Sequence, residues 1–271
     1  MILRTLSFVI LLAVYGAVFS QQEILFRESS QQLAYPSPPE IQKAALGYLK
    51  QLGGEMQFIK AGVFYGGVKA GRDPLEYIGP FAQHLAAAAI LNPEFTDTYY
   101  LCQATLPQIN NKYATFANKI YALGMQALPN NFVLPFFTGF NYFYYLKDRR
   151  HAAELLKTAA EKPDGPLWVG HLAAILEAED GDIYGGLVWL KVMLAGEKNK
   201  AAKKRYRHSI AMFTRAVTIQ KSINIYKKRY GTYPPTLSDL IPDILPTLPK
   251  FDPPFQIKWI APKLSLVRAK R

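Results

Sequence analysis

Apolar positions recur along the middle of the chain at helical spacing, and a proline closes each run. Phe81, Leu85 and Ala88 precede Pro93; Ala117, Tyr121 and Gly124 precede Pro129; Ala152, Leu156 and Ala159 precede Pro163. Each triplet is an i, i+4, i+7 stripe, which is one face of an α-helix. The three prolines stand 36 and 34 residues apart. A period near 34 residues, with a small-residue stripe on the second helix of each unit, predicts stacked helix pairs. Such pairs bury their apolar faces on one another. The leading helices are expected over residues 96–106, 132–145 and 167–177. The last belongs to a weaker fourth pair, whose second helix, 183–194, carries Gly185, Trp189 and Val192 at the stripe positions.

The pattern continues on both sides of these pairs. From residue 40 to 63, Ile41, Ala44, Ala45, Tyr48, Leu49, Leu52, Met56, Ile59 and Val63 fall on one helical face. Gly53-Gly54 interrupts it and marks a kink or a close contact with a neighbouring helix. Residues 132–145 are apolar all round, with Phe136, Phe137, Phe140, Tyr142, Phe143, Tyr144 and Tyr145 crowded together. A helix of that kind predicts the central buried element of the stack. A second reading puts its tyrosines on a concave groove, where aromatics anchor a bound chain. Asn141 is the polar residue within it. The turns that punctuate the stack are Gly71-Arg72-Asp73-Pro74, Lys147-Asp148 and Gly181-Asp182.

Residues 198–229 form a long amphipathic helix with Tyr206, Ile210, Phe213, Val217, Ile223, Tyr226 and Tyr230 on its apolar side. It is expected to cap the end of the stack. Beyond it, seven prolines between 234 and 254 forbid a long helix. One short helical turn is expected over 236–241, started by Thr236 or Ser238. Alternation over 256–260 and 264–267 predicts a small hairpin, the one sheet expected.

The net charge of +12 is concentrated in one place. Residues 1–197 sum to −2 and residues 230–271 to +3, whereas 198–229 hold eleven basic side chains and no acidic one. A single basic helix points to a local electrostatic contact, with anionic lipid head groups or an acidic partner, and away from nucleic acid. Lys203, Lys204, Arg205 and Arg207 are the basic surface expected to carry it. At the other end, Arg4 precedes an uncharged, mostly apolar run over residues 6–19. This run fits a secretory signal cleaved after Ser20. It equally fits an anchor somewhat short of the roughly 20 residues a bilayer needs. Either reading places the body of the chain on the outer side of a membrane, in the periplasm, with a linker over 21–39 that ends in the stiff Tyr35-Pro36-Ser37-Pro38-Pro39.

Chemistry-bearing residues are sparse. A lone cysteine, Cys102, lies in an apolar run and reads as a small buried hydrophobe. His84, His151, His171 and His208 show no ligand spacing, and neither a phosphate loop nor a nucleophile elbow occurs. Glu177, Glu179, Asp180 and Asp182 cluster at one turn without the glycine placement of a calcium loop. No catalytic, cofactor-binding or metal-ligating set is predicted.

Ala117, Tyr121, Gly124 and Pro129 together resemble the second helix of the tetratricopeptide repeat. Tyr35-Pro36, the element Leu91-Asn92-Pro93-Glu94-Phe95, Gly139-Phe140, Lys147-Asp148 and Pro163 resemble membrane-anchored bacterial tetratricopeptide-like proteins. The ending, from Tyr226, Tyr230-Gly231 and Tyr233-Pro234 to Asp252-Pro253, is similar to the C-terminal part of pseudopilins. The resemblance implies an all-α fold of helical hairpin repeats, a right-handed tetratricopeptide-like solenoid over residues 40–197. A basic capping helix over 198–230 and a Pro-rich tail with a hairpin over 231–271 would complete it. The function expected is a non-enzymatic scaffold of the bacterial cell envelope, docking a protein partner through Tyr99, Asn141, Tyr144, Tyr145 and His171 on the leading helices. The alternative is a structural subunit of a pilus-like or secretion-type assembly, which the absence of a glutamate before Glu23 disfavours.

Overall fold

The computed structural model describes residues 10–21 and 33–269. The start of the predicted leader (1–9), most of the predicted linker (22–32) and residues 270–271 lie outside them. Residues 10–21 are helical, with Leu11, Tyr15 and Phe19 among their exposed apolar side chains. Among the described residues no helix is long and apolar enough to cross a membrane. The fold is mainly helical, and the chain divides into two compact units between Ala127 and Leu128. Helices on each side of this point, which falls inside the repeat region expected over 40–197, pack mainly within their own unit.

In the N-terminal unit, α1 (Pro39–Leu46) and α2 (Lys50–Gly66) precede α3 (Ile78–Leu91), α4 (Asp97–Thr105) and α5 (Asn111–Ala127). Pro39 opens α1, where its missing N–H would have had no helical partner. Of the two readings of Gly53-Gly54 the close contact is the one found, and the helix break lies at Gly47, whose φ of 53° ends α1. Helix α2 runs through the glycine pair and uses it for contact. A Cβ on Gly54 would lie 2.8 Å from Asn92 Cβ and 3.0 Å from the Ala88 carbonyl oxygen. Helix α3 is the core, with Phe81, Leu85 and Ala88 buried as the stripe predicts. Helices α4 and α5 pack on it and on each other. The face of α2 differs from expectation: Gly53, Gly54, Gln57, Ala61 and Phe64 are buried. Leu52, Met56, Ile59 and Val63, the larger apolar set, are exposed.

In the C-terminal unit, α6 (Val133–Tyr144), α7 (Arg149–Ala160), α8 (Leu167–Asp180), α9 (Ile183–Gly196) and α10 (Lys200–Tyr230) pack each against the next. Their starts are locally encoded. Asp148, Asp182 and Asn199 accept N–H groups of the first turns of α7, α9 and α10. Gly181 and Gly231, at φ 103° and 76°, end α8 and α10 in the left-handed region. The predicted turn after Thr236 is a 3-10 turn (Leu237–Leu240) closed by a capping box with Asp239. The predicted hairpin is β1 (Phe255–Ile260) and β2 (Lys263–Arg268), antiparallel from Phe255↔Arg268 to Ile260↔Lys263.

Two phases in this unit differ from expectation. On α9 the buried residues are Ile183, Gly186, Leu187, Leu190 and Met193, while Val192 is exposed. Gly186 is the reason: a Cβ there would meet the Ala174 carbonyl oxygen at 2.6 Å and the Phe213 ring at 2.7 Å. Helix α6 is not buried all round. It seats Leu134, Thr138, Gly139 and Asn141, exposes Tyr144 and leaves its other aromatics half-buried, with Phe136, Tyr142 and Phe143 against the core. A Cβ on Gly139 would sit 3.2 Å from the Ala152 carbonyl oxygen of α7, so a side chain there would require α7 to give by a few tenths of an ångström.

Helix α10 buries Tyr206, Met212, Phe213, Ala216, Ile219 and Ile223, whereas Tyr230 is exposed. The tail covers this stripe: Leu240, Leu245, Phe255, Leu264 and Leu266 join it in one core cluster with α8 and α9. The proline-rich segment thus supplies part of the core, with α10 inside it.

Candidate functional site

Two of the residues nominated as partner-facing are core. Tyr99 is buried, its hydroxyl donates to the Pro93 carbonyl at 2.6 Å and its ring meets Tyr121 edge-on. Burial raises its phenol pKa above the ordinary range. Asn141 is fully buried on the face of α6 that also seats Gly139. A polar residue in an aromatic run looked like a recognition residue. Its helical phase places it with the small residues instead.

Tyr144 and Tyr145 belong to an aromatic face. Tyr144, 54 % exposed, stacks on Phe140 with ring centroids 5.5 Å apart and planes 7° from parallel. Tyr145 lies edge-on to Tyr144 at 4.9 Å, and Lys147 Nζ stands 5.2 Å from the Tyr144 ring centroid. Phe136 continues the row and meets Trp168 of α8 edge-on at 5.6 Å, with Trp168 itself 55 % exposed. Sequence reasoning passed over Trp168, which belongs to no stripe and reaches the row only because α8 follows α7 in the packing.

His171 is half-buried against α10, with Nε2 3.0 Å from Ser209 Oγ and its ring edge-on to Tyr206. Burial, aided by the positive charges of Arg268 and Arg205, pulls its pKa down to about 4. The folded state therefore binds fewer protons than the unfolded state between pH 4 and about 6.5, and stability falls as the pH drops through that window. Acid titration followed by thermal melting should show the C-terminal unit losing about 2–3 kcal/mol from this residue. His171→Gln should flatten that part of the profile. An unchanged profile would remove His171 as its source.

The acidic cluster at the α8–α9 turn is neutralised group by group. Glu177 pairs with Lys157, Glu179 with Arg149 at 3.0 Å and Asp180 with Lys263 at 2.8 Å, and Asp182 caps α9. Lys157 also lies over the Trp189 ring. Among the described residues no group of His, Cys, Asp and Glu is arranged to hold a metal ion. Cys102 is buried and its thiol is pushed up to about 12. On α10, Lys204, Arg205 and Arg207 are exposed, Lys203 is half-buried, and none forms an ion pair among the described residues.

In the N-terminal unit a buried polar chain ties the extended start of the fold to three helices. Gln42 Nε2 donates to the Ser37 carbonyl at 2.5 Å, and Gln57 Nε2 donates to Gln42 Oε1 at 2.7 Å. His84 Nδ1 lies 2.6 Å from Gln57 Oε1, and its Nε2 lies 2.9 Å from the Ala34 carbonyl. Burial lowers the His84 pKa, against the hydrogen bond to Ala34.

Compared with protein-family models, curated proteins and solved structures, the chain matches none.

Proposed function

We propose that this chain is a non-enzymatic interaction scaffold of the bacterial cell envelope, built from tetratricopeptide-like helix pairs, that docks a protein partner on the aromatic face of its C-terminal unit. The observation that carries the reading is the row Phe136, Phe140, Tyr144 and Tyr145 with Trp168, in which Tyr144 and Trp168 are exposed and the other three rings are half-buried beside them. Exposed Trp and Tyr are common binding anchors, since they bury much area at little conformational cost. The rings already contact one another, so little ordering is left for the bound state.

The envelope location rests on the apolar run over residues 6–19 and on the expectation that it directs or anchors the chain. The basic face of α10, with Lys204, Arg205 and Arg207, supports an accompanying contact with anionic lipid. In a pull-down from detergent-solubilised membranes, the wild-type chain should retain a stoichiometric partner. Tyr144→Ala with Trp168→Ala should weaken that retention at least about tenfold, the scale of a modest hot spot. Recovery of no stoichiometric partner, or full retention by the double variant, would sink the reading.

A further inference from the structure

The C-terminal unit also holds a cleft of about 1020 Å³, between the outward face of the hairpin and residues of α6, α7 and α8. Its walls carry Arg149, Lys258, Lys263 and Arg268 against one carboxylate, Glu179. Strand alternation sends Phe255, Leu264 and Leu266 into the core and turns Gln256, Lys258, Ser265 and Val267 the other way, into the cleft. Two of the four cations are already satisfied, Arg149 by Glu179 and Lys263 by Asp180. Lys258 and Arg268 have no carboxylate partner among the described residues.

Ser265 stands directly across the strands from Lys258. It is only 9 % exposed and lines the cleft. A hydroxyl beside an ammonium that lacks a carboxylate partner is a donor set for an oxyanion. Phe143, Ile260, Pro262 and Val267 make the rest of the wall apolar. The volume lies at the top of the roughly 300–1,000 Å³ typical of ligand clefts. A small inorganic anion would fill little of it. A chain that alternates carboxylates with apolar side chains would match both the charges and the walls.

We propose that this cleft binds an acidic peptide segment, with its carboxylates on Lys258 and Arg268, a hydrogen bond from Ser265 Oγ, and its apolar side chains against Phe143 and Val267. The site is separate from the aromatic row and does not depend on it.

The test is fluorescence anisotropy of the full chain with a labelled peptide of alternating Glu and Leu, beside the same peptide with Gln for Glu. The acidic peptide should bind saturably, and the Gln peptide at least about tenfold more weakly. Lys258→Glu with Arg268→Glu should weaken the acidic peptide by at least about tenfold, and Ser265→Ala by about threefold, the latter with unchanged thermal melting. Lys203→Glu with Lys204→Glu on α10 should leave binding intact. Equal binding of the two peptides would overturn the proposal. So would wild-type binding by the cleft variant, loss of binding only in the α10 variant, or complete displacement of the peptide by millimolar inorganic phosphate. Any drop in melting temperature of the cleft variant is controlled by Lys258→Gln, which removes the charge without reversing it and should still weaken the acidic peptide.

Discussion

Phe213→Ala should destabilise the C-terminal unit by about 3–5 kcal/mol, the usual cost of emptying a fully buried aromatic site. Phe213 is inaccessible to solvent, meets the Phe255 ring edge-on at 6.0 Å and closes on Gly186 of α9. It therefore joins α9, α10 and the hairpin at one point, and few neighbours can shift to fill the space. All three tryptophans, Trp168, Trp189 and Trp259, lie in this unit, so their fluorescence during urea denaturation reports it selectively. The midpoint should move to lower urea with the slope little changed. A loss below about 1 kcal/mol would mean that the tail does not pack on α10 as described.

Gln57→Leu should have the next largest effect, in the N-terminal unit. The substitution keeps the bulk and removes the hub of the chain from Ser37 through Gln42, Gln57 and His84 to Ala34. Gln42 and His84 each lose a partner while remaining buried, at about 1–2 kcal/mol apiece since each keeps its other one. A total loss of about 2–4 kcal/mol is expected. Amide hydrogen exchange should accelerate over residues 33–46 and along α2, while the tryptophan-monitored transition stays where it is. Unaltered exchange in that segment would show that the polar chain does not hold it.

Much of the local structure was legible in the sequence. The stripes Phe81/Leu85/Ala88, Ala117/Tyr121/Gly124 and Ala152/Leu156/Ala159 are buried, and the turns at Asp73, Asp148, Gly181-Asp182 and Thr236 start or end elements as their side chains dictate. The hairpin falls within a residue of its predicted strands. The candidate site was legible only in part. Tyr144 is a surface ring and Tyr145 is half-buried beside it, but Tyr99 and Asn141 are core, and Trp168 and the cleft around Lys258 and Ser265 gave no periodic signal. Both of the latter depend on residues about 30 to 120 positions apart, which no local pattern joins.

The sequence by itself determined where helices begin and end, because caps, prolines and left-handed glycines act over four or five residues. Only the tertiary structure decided which face of α2, α6 and α9 is buried. In these helices that face is the one with glycines, at Gly54, Gly139 and Gly186, and in α2 and α6 most of the larger apolar side chains are displaced from it. Hydrophobic spacing records the amount of apolar surface on a helix. The closeness of approach between two helices is set by backbone meeting backbone, and here that contact outweighed size, turning rings and aliphatic side chains toward the surface, where they are available for binding.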